Sequence, residues 1–253
     1  MDIKRYFSRI GLPANTEQKP TYELLKKLQL AHITSVPYEN LDIIDGKPLS
    51  LDVVDIYDKV VVRHRGGYCF EVNALFDRLL KELGFRTESY FARFWRGENG
   101  IPHRRHRVIA VFIDGKTYIA DVGIGSAAPR IPLLLEQGAV QEYFGEAYRF
   151  ERDADFGWVL YEFTHGEWKK YFSFTEDKQL DIDFVMPSFY CEKHPDSKFN
   201  KAVMVAMKTE NGRKSVDGSV YKDFVGKELS YIEENMSSER VSEILKNEFG
   251  LEI

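Results

Sequence analysis

Arg65-Gly66-Gly67-Tyr68-Cys69-Phe70-Glu71-Val72-Asn73 is the stretch around which the chain is organised. Two glycines deliver the backbone into a cysteine, and the cysteine opens an amphipathic segment. Apolar residues recur at Val72, Leu75, Phe76, Leu79, Leu80 and Leu83, the i, i+3, i+4 spacing of one buried helix face, and Gly84 supplies a C-terminal stop. Cys69 therefore falls in or beside the first helical turn, where unpaired N–H groups and the helix dipole favour a thiolate. Arg63, His64 and Arg65 are expected to push its pKa the same way. Buried helix-end cysteines are also common as inert small hydrophobes, so a base within reach decides between the two readings.

Outward from this stretch, the N-terminal 84 residues read as helices. Asp2 caps a short helix to Ile10, and a second follows Thr21 with Leu24, Leu25, Leu28 and His32 on its apolar face. Ser50 is expected to cap a third, running to about Val62. Past Gly84 the pattern turns to strands: Arg86 to Trp95, a hairpin from Arg107 to Asp121 around Asp114-Gly115, then Tyr148 to Arg152, Trp158 to Thr164 and Trp168 to Phe174. Even spacing of short strands points to a small antiparallel sheet or barrel. The last part reads as a Pro/Ser loop from Pro187 to Pro195, a helix-like Ser197 to Met207, a turn at Asn211-Gly212 and a closing helix from Ser238 to Phe249. The expected division is 1–84, 85–187 and 188–253.

Composition bounds the function classes. The 253 residues suffice for a substantial core, and 43% hydrophobic with 30% charged residues is ordinary for a soluble globular chain. A net charge of −5 with no basic block argues against a duplex nucleic-acid binder. No apolar run approaches the roughly 18 residues of a membrane helix, and the N-terminus is too charged for a signal peptide. The 2 cysteines make no disulfide framework, and without an export signal a reducing cytoplasm is expected. Aromatics at 14% make an aromatic-lined pocket for a flat ligand easy to build.

Six histidines are candidates for the base. His64 precedes a glycine turn with no visible orienter, His32 sits on an apolar helix face, and His165 lies in a turn. His194 forms a lone C-x-x-H with Cys191, too few ligands for zinc. His103 and His106 remain, and the hairpin separates them. With a two-residue loop at Asp114-Gly115, Ile113 pairs with Lys116, His106 falls opposite Gly123, and Asp121 becomes its diagonal neighbour on the same face. Diagonal Cα atoms lie roughly 7–8 Å apart, a gap that His and Asp side chains bridge. His103 has the opposite parity. Asp121 ends the apolar run Tyr118-Ile119-Ala120, where a carboxylate needs a partner unless it serves only the turn before Gly123. Cys69, His106 and Asp121 thus form a candidate triad, with N–H groups at the helix start as oxyanion donors.

The cysteine stretch resembles the active-site signature of the arylamine N-acetyltransferases. Val36-Pro37-Tyr38-Glu39-Asn40-Leu41-Asp42 is similar to that family's upstream motif, and Asp121-Val122-Gly123-Ile124-Gly125 to its third, in matching order. The resemblance covers nearly the whole chain and weakens after about residue 190. It implies an α+β fold: an N-terminal helical bundle, a central antiparallel β-barrel and a C-terminal α/β lid, with a papain-like Cys-His-Asp arrangement. It implies transfer of acetyl from acetyl-CoA to arylamines, arylhydrazines or N-hydroxyarylamines through a Cys69 thioester, with His106 as base, Asp121 as orienter and no metal. Glu39 and Arg65 match a supporting ion pair, the alternative being a surface pair of little worth.

Departures from the family pattern guide the remaining assignments. Tyr38 stands where Phe is usual, and Tyr38, Tyr68 and Phe70 are candidate walls of the acceptor pocket. Arg104, Arg105 or Arg107, with the backbone near Gly125-Ser126, are candidate contacts for the coenzyme phosphates; a solvated basic strand edge is the alternative. A monomer or weak homodimer is expected. An amide synthase or transglutaminase-like cysteine acyltransferase or hydrolase with another acyl donor, or a non-catalytic binding module on the same scaffold, are the rival readings.

Overall fold

Side-chain caps start the first helices where the sequence places them. In the computed structural model, which describes residues 1–251, α1 (Ile3–Arg9) begins at Asp2, whose carboxylate accepts from the Arg5 N–H at 3.1 Å. α2 (Tyr22–Ile33) begins at Thr21, whose hydroxyl accepts from Leu24 N–H at 3.3 Å. A two-residue strand, β1 (Tyr38–Glu39), and a short α3 (Leu41–Ile44) follow; neither is visible in the sequence pattern. α4 (Val53–Tyr57) is capped by Asp52 rather than by the expected Ser50, which bonds Asp55 instead, and it widens into a π turn over Asp58–Val62. α5 (Cys69–Glu82) is the cysteine helix, and its apolar face packs with α1 and α2 into one core.

The strands build an eight-stranded antiparallel sheet curled into a nearly closed barrel. In chain order these are β2 (Arg86–Phe94), β3 (His106–Ile113), β4 (Lys116–Ala120), β5 (Leu133–Leu134), β6 (Gln141–Tyr143), β7 (Glu146–Asp153), β8 (Gly157–Thr164) and β9 (Glu167–Gln179). They pair in the order β5-β4-β3-β2-β9-β8-β7-β6. Register shifts in β2 and β8 bend the sheet. The seam between β5 and β6 is bridged by a side chain: the Gln141 amide donates to Leu134 O at 2.9 Å and accepts from Leu134 N–H at 2.7 Å. β3 is apolar on both faces. Ile109, Val111 and Ile113 pack on the helices, while Val108 and Ala110 face the barrel core.

The last part departs from the sequence expectation in two places. The Pro187 to Pro195 loop is instead mostly helix, α6 (Val185–Lys193). Pro187 lies in its first turn, where a missing N–H costs no intrahelical bond. The expected helix from Ser197 to Met207 is a single turn, Lys198–Asn200, followed by strand β10 (Met204–Lys208). Val203, Val205 and Met207 alternate toward one core, so the period is two rather than 3.6. β11 (Gly212–Asp217), β12 (Val220–Val225) and β13 (Glu228–Glu233) complete a sheet that draws in β1, with Tyr38 opposite Ala206. α7 (Ser238–Phe249) covers it, with the expected bounds. Among the described residues no helix is long and apolar enough to cross a membrane.

His32 belongs to the core between α1 and α5. It is fully buried, its Nδ1 lies 2.7 Å from the Tyr6 hydroxyl, and its ring meets Phe76 edge-on. Burial, with Arg9 nearby, lowers its pKa from 6.5 to about 3. The unfolded chain therefore takes up a proton that the folded chain refuses. His32 contributes stability above its unfolded pKa and loses it as the pH falls toward 3, with a slope of about 1.4 kcal/mol per pH unit. His32→Gln, which keeps a partner for Tyr6 but cannot titrate, is expected to flatten the acid limb of urea-unfolding stability by about that slope. An unaltered limb would show that other groups set it.

Candidate active site

The cysteine is aimed by close backbone packing. Gly67 N–H donates to Pro37 O at 3.3 Å, and Glu39 N–H donates to Gly67 O at 3.1 Å. A Cβ on Gly66 would stand 2.1 Å from Pro37 O, so only glycine allows the two segments to meet. Beneath them lies a buried charge cluster. Arg65 donates to Glu39 at 2.8 Å and to Asp42 at 3.2 Å, while Lys59 meets Asp42 at 2.7 Å and Glu71 at 2.8 Å. Glu71 in turn accepts from the Tyr68 N–H at 2.9 Å, capping α5. Glu39 and Arg65 are therefore a buried pair and not a surface one.

This cluster overturns the expected electrostatics of Cys69. Arg63 pairs with Asp58 at 2.8 Å, Arg65 with Glu39 and Asp42, and the His64 side chain is exposed. None of the three cations is aimed at the sulfur. Burial first, then the neighbouring Cys191 and Asp121, hold the Cys69 pKa well above its ordinary value; Arg105 and the Phe70 N–H act the other way. The Cys69 sulfur lies 3.9 Å from Arg105 O.

The hairpin register holds as the sequence predicts. Ile113 pairs with Lys116 and Ile109 with Ala120, and His106 Nε2 lies 2.6 Å from Asp121 Oδ2. Asp121 is 2% exposed, yet its carboxylate is satisfied: Oδ1 accepts from Gly123 N–H at 2.8 Å and from Asn73 Nδ2 at 3.0 Å. Asn73 also donates to Arg107 O at 2.7 Å and accepts from Val122 N–H at 2.9 Å. One carboxamide on α5 thereby ties the cysteine helix to both arms of the hairpin.

Cys69 and His106 line a common cavity of about 490 Å³ with Tyr38, Phe94, Phe199 and Met204. Its polar rim includes Arg96, Arg105, Ser126, Lys198 and Arg213. Of the sequence candidates, Tyr38, Arg105 and Ser126 are on this cavity's wall. Tyr68 and Phe70 are not: both are fully buried behind the cysteine, Tyr68 bonding Ser188 at 3.0 Å and Phe70 packing on Phe184. Gly125 is buried against Tyr38 and Ala206. Arg104 is exposed and off the cavity wall. Arg107 is 2% exposed, and its guanidinium bonds Asp77 at 2.9 Å, Asp181 at 2.9 Å and Ser89 at 3.0 Å. Those contacts hold it away from the cavity, whose lining does not include it. Arg96, Lys198, Phe199 and Arg213 were missed, since they come from separate segments with no local motif.

Comparison with known proteins gives the chain a family. A family model described as N-acetyltransferase matches residues 21–253. The arylamine N-acetyltransferase of Mycobacterium tuberculosis is 37% identical over 224 residues, covering 86% of this chain and 78% of the relative. That of Mycolicibacterium smegmatis is 32% identical over 262 residues, covering 100% and 93%. The Salmonella typhimurium arylamine N-acetyltransferase structure superposes with a TM-score of 0.93 at 28% identity, covering 98% of this chain and 90% of that one. The Mycobacterium marinum arylamine N-acetyltransferase in complex with CoA gives 0.91 at 30% identity, covering 98% and 92%.

The contrast between neighbouring arginines is measurable. Arg107→Ala leaves buried Asp77 with Lys81 as its one cation, at 2.8 Å, and opens a cavity where the guanidinium was; it is expected to cost about 2–3 kcal/mol in urea unfolding, whereas Arg104→Ala should stay within about 0.5 kcal/mol. Similar values for the two would contradict the burial of the Arg107 guanidinium.

Proposed function

The chain belongs to the arylamine N-acetyltransferase family, and we propose that it performs the family's acetyl-CoA-dependent acetylation of arylamines through Cys69, His106 and Asp121. Arylhydrazines and, by O-acetylation, N-hydroxyarylamines extend the acceptor class. The observation that carries the residue assignment is the 2.6 Å contact between His106 Nε2 and Asp121, at the wall of the cavity that Cys69 also lines. With Nε2–H donated to the carboxylate, Nδ1 is left as the basic nitrogen of the ring.

In the first half-reaction His106 takes the Cys69 proton as sulfur attacks the thioester carbonyl of acetyl-CoA. N–H groups at the start of α5 face the developing oxyanion. The tetrahedral intermediate expels the CoA thiolate, which takes the proton back from His106 and leaves acetyl-Cys69. In the second, the amine nitrogen attacks that thioester, its surplus proton passes through His106 to the Cys69 sulfur, and the acetamide departs. An arylamine is largely unprotonated at neutral pH, so its lone pair is available without a preceding deprotonation. Burial raises the Cys69 pKa, and His106 is the group that takes its proton as the sulfur attacks. Tyr38, Phe94 and Phe199 supply aromatic surface to the acceptor. Arg105 and Ser126 stay in the coenzyme set; Arg104 and Arg107 leave it. A cytoplasmic monomer or weak homodimer is the setting we propose, where Cys69 and Cys191 stay reduced.

Intact mass after mixing with acetyl-CoA alone is expected to rise by one acetyl group, a gain absent in Cys69→Ser and discharged by an arylamine. His106→Ala should slow that acetylation by about 10²–10⁴-fold. A parent chain that gains no acetyl group would overturn the reading.

A further inference from the structure

Helix α6, with the turn Asp181–Phe184 that leads into it, is apolar on both of its faces. Phe184, Ser188 and Cys191 turn inward, where Phe184 packs on Phe70 and Phe91 and Ser188 bonds Tyr68. On the solvent side Ile182, Val185, Met186 and Phe189 recur at i, i+3, i+4 and i+7, the spacing of a second helix stripe. All four are exposed, Met186 at 76% and Phe189 at 62%. A helix that is apolar all round belongs in an interior, so this one lacks a cover on one side. We propose that the cover is the same stripe of a second copy of this chain, packed antiparallel across a two-fold axis. This selects the homodimer from the two states given above, and it stands on the surface rather than on the transfer chemistry.

Area is the first argument. With Leu180, also exposed, the stripe bares roughly 600 Å² of contiguous apolar surface, the upper end of what a monomer leaves open. Two copies face to face would cover roughly 1,200 Å², the lower bound for a specific interface. A two-fold contact also needs a self-complementary patch, and a flat apolar stripe is one.

Charge is the second. No charged residue interrupts the stripe until Lys193, which closes it at i+11 and, among the described residues, has no salt-bridge partner. Asp181 and Asp183 stand at the opposite end. An antiparallel copy brings each Lys193 toward the partner's Asp183, twice per dimer, and sets the two helix dipoles head to tail. A bilayer suits the stripe less. Interfacial helices carry Lys or Arg beside their apolar face, and here the flanking charges are Asp181, Asp183 and Glu192.

The edge strand β13 is the other exposed apolar element, through Leu229, Tyr231 and Ile232. Antiparallel pairing with its own copy would set Glu228 against Glu233, like charges at both ends. Self-association through α6 meets no such opposition.

Sedimentation velocity of the full chain from about 1 to 200 µM tests the proposal without an activity readout. The parent is expected to pass from monomer to dimer with a Kd of about 10 µM, at the weak end for so small an interface. Met186→Asp with Phe189→Asp is expected to raise that Kd by about a hundredfold or more, while circular dichroism and the urea midpoint stay at the parent values, since both side chains are exposed. Lys193→Glu should raise it about tenfold, because the two-fold axis repeats each pair, and Lys193→Arg should leave it unchanged. A parent that stays monomeric would overturn the proposal, and its cosedimentation with phosphatidylcholine vesicles would assign the stripe to a lipid surface instead. A dimer indifferent to the paired Asp substitutions, or one as tight in Lys193→Glu as in the parent, would overturn it too.

Discussion

The site depends on one carboxamide. Asn73 stands one helical turn beyond Cys69 and bonds three groups of the hairpin: Arg107 O, Asp121 Oδ1 and Val122 N–H. The first flanks the histidine, the second is the orienting carboxylate, and the third follows it. A buried polar network is stiff when every member is satisfied, because any departure leaves a desolvated donor or acceptor. Here satisfaction extends outward: Asp121 N–H donates to Gln29 Oε1 at 3.3 Å, and Gln29 Nε2 donates to Pro129 O at 2.8 Å. The arrangement also needs an absent side chain. A Cβ on Gly123 would lie 2.5 Å from Asn73 Nδ2 and 2.8 Å from Cys69 Cα, so glycine sets the closeness of helix and loop.

The parts legible in sequence are those whose geometry repeats locally. The α5 face follows from 3.6-residue spacing, the Asp2 cap from side-chain chemistry, and the His106–Asp121 contact from a two-residue turn with strict alternation. The same alternation was enough to place Arg107. Having the opposite parity to His106, it must face α5, where Asp77 waits. Tyr68 and Phe70 fail for a different reason. Adjacency to a nucleophile in sequence does not mean adjacency in space, because successive helical residues point about 100° apart. The strand β10 and helix α6 were misread because short apolar runs fit either period until a neighbouring layer selects one. β1 had no local signal, since a two-residue strand exists only through its partner Val205-Ala206.

The buried cluster beneath the cysteine explains why upstream cations do not make a free thiolate. Glu39, Asp42 and Glu71 outnumber Arg65 and Lys59, so the cations are held by carboxylates and their field at the sulfur is cancelled. What the cluster supplies is position. Glu71 holds the Tyr68 N–H, Glu39 holds Arg65, and both fix the loop from which Cys69 emerges. In the proposed mechanism a cysteine whose pKa burial raises relies on His106 for its proton transfer, so the two act as one unit.

Charge across the molecule follows the same separation of roles. The chain is acidic, at −5, yet the cysteine cavity is lined by Arg96, Arg105, Lys198 and Arg213 against one carboxylate, Asp217. A low-dielectric cleft focuses their field, while the acidic remainder of the surface repels anions elsewhere. An anionic donor is thus drawn to one opening, and an uncharged arylamine feels little of that field. In a two-step transfer through a single cavity this difference matters. On the proposed reading the donor enters by charge and, once its thiol is free, still carries the charge that holds it, while the amine enters by aromatic contact with Tyr38, Phe94 and Phe199. Arg96, Arg105 and Lys198 at the cysteine cavity are shared with Glu162 and Glu98, so on the proposed reading they hold the departing coenzyme less tightly than an unpaired set, and that permits release before the acceptor binds.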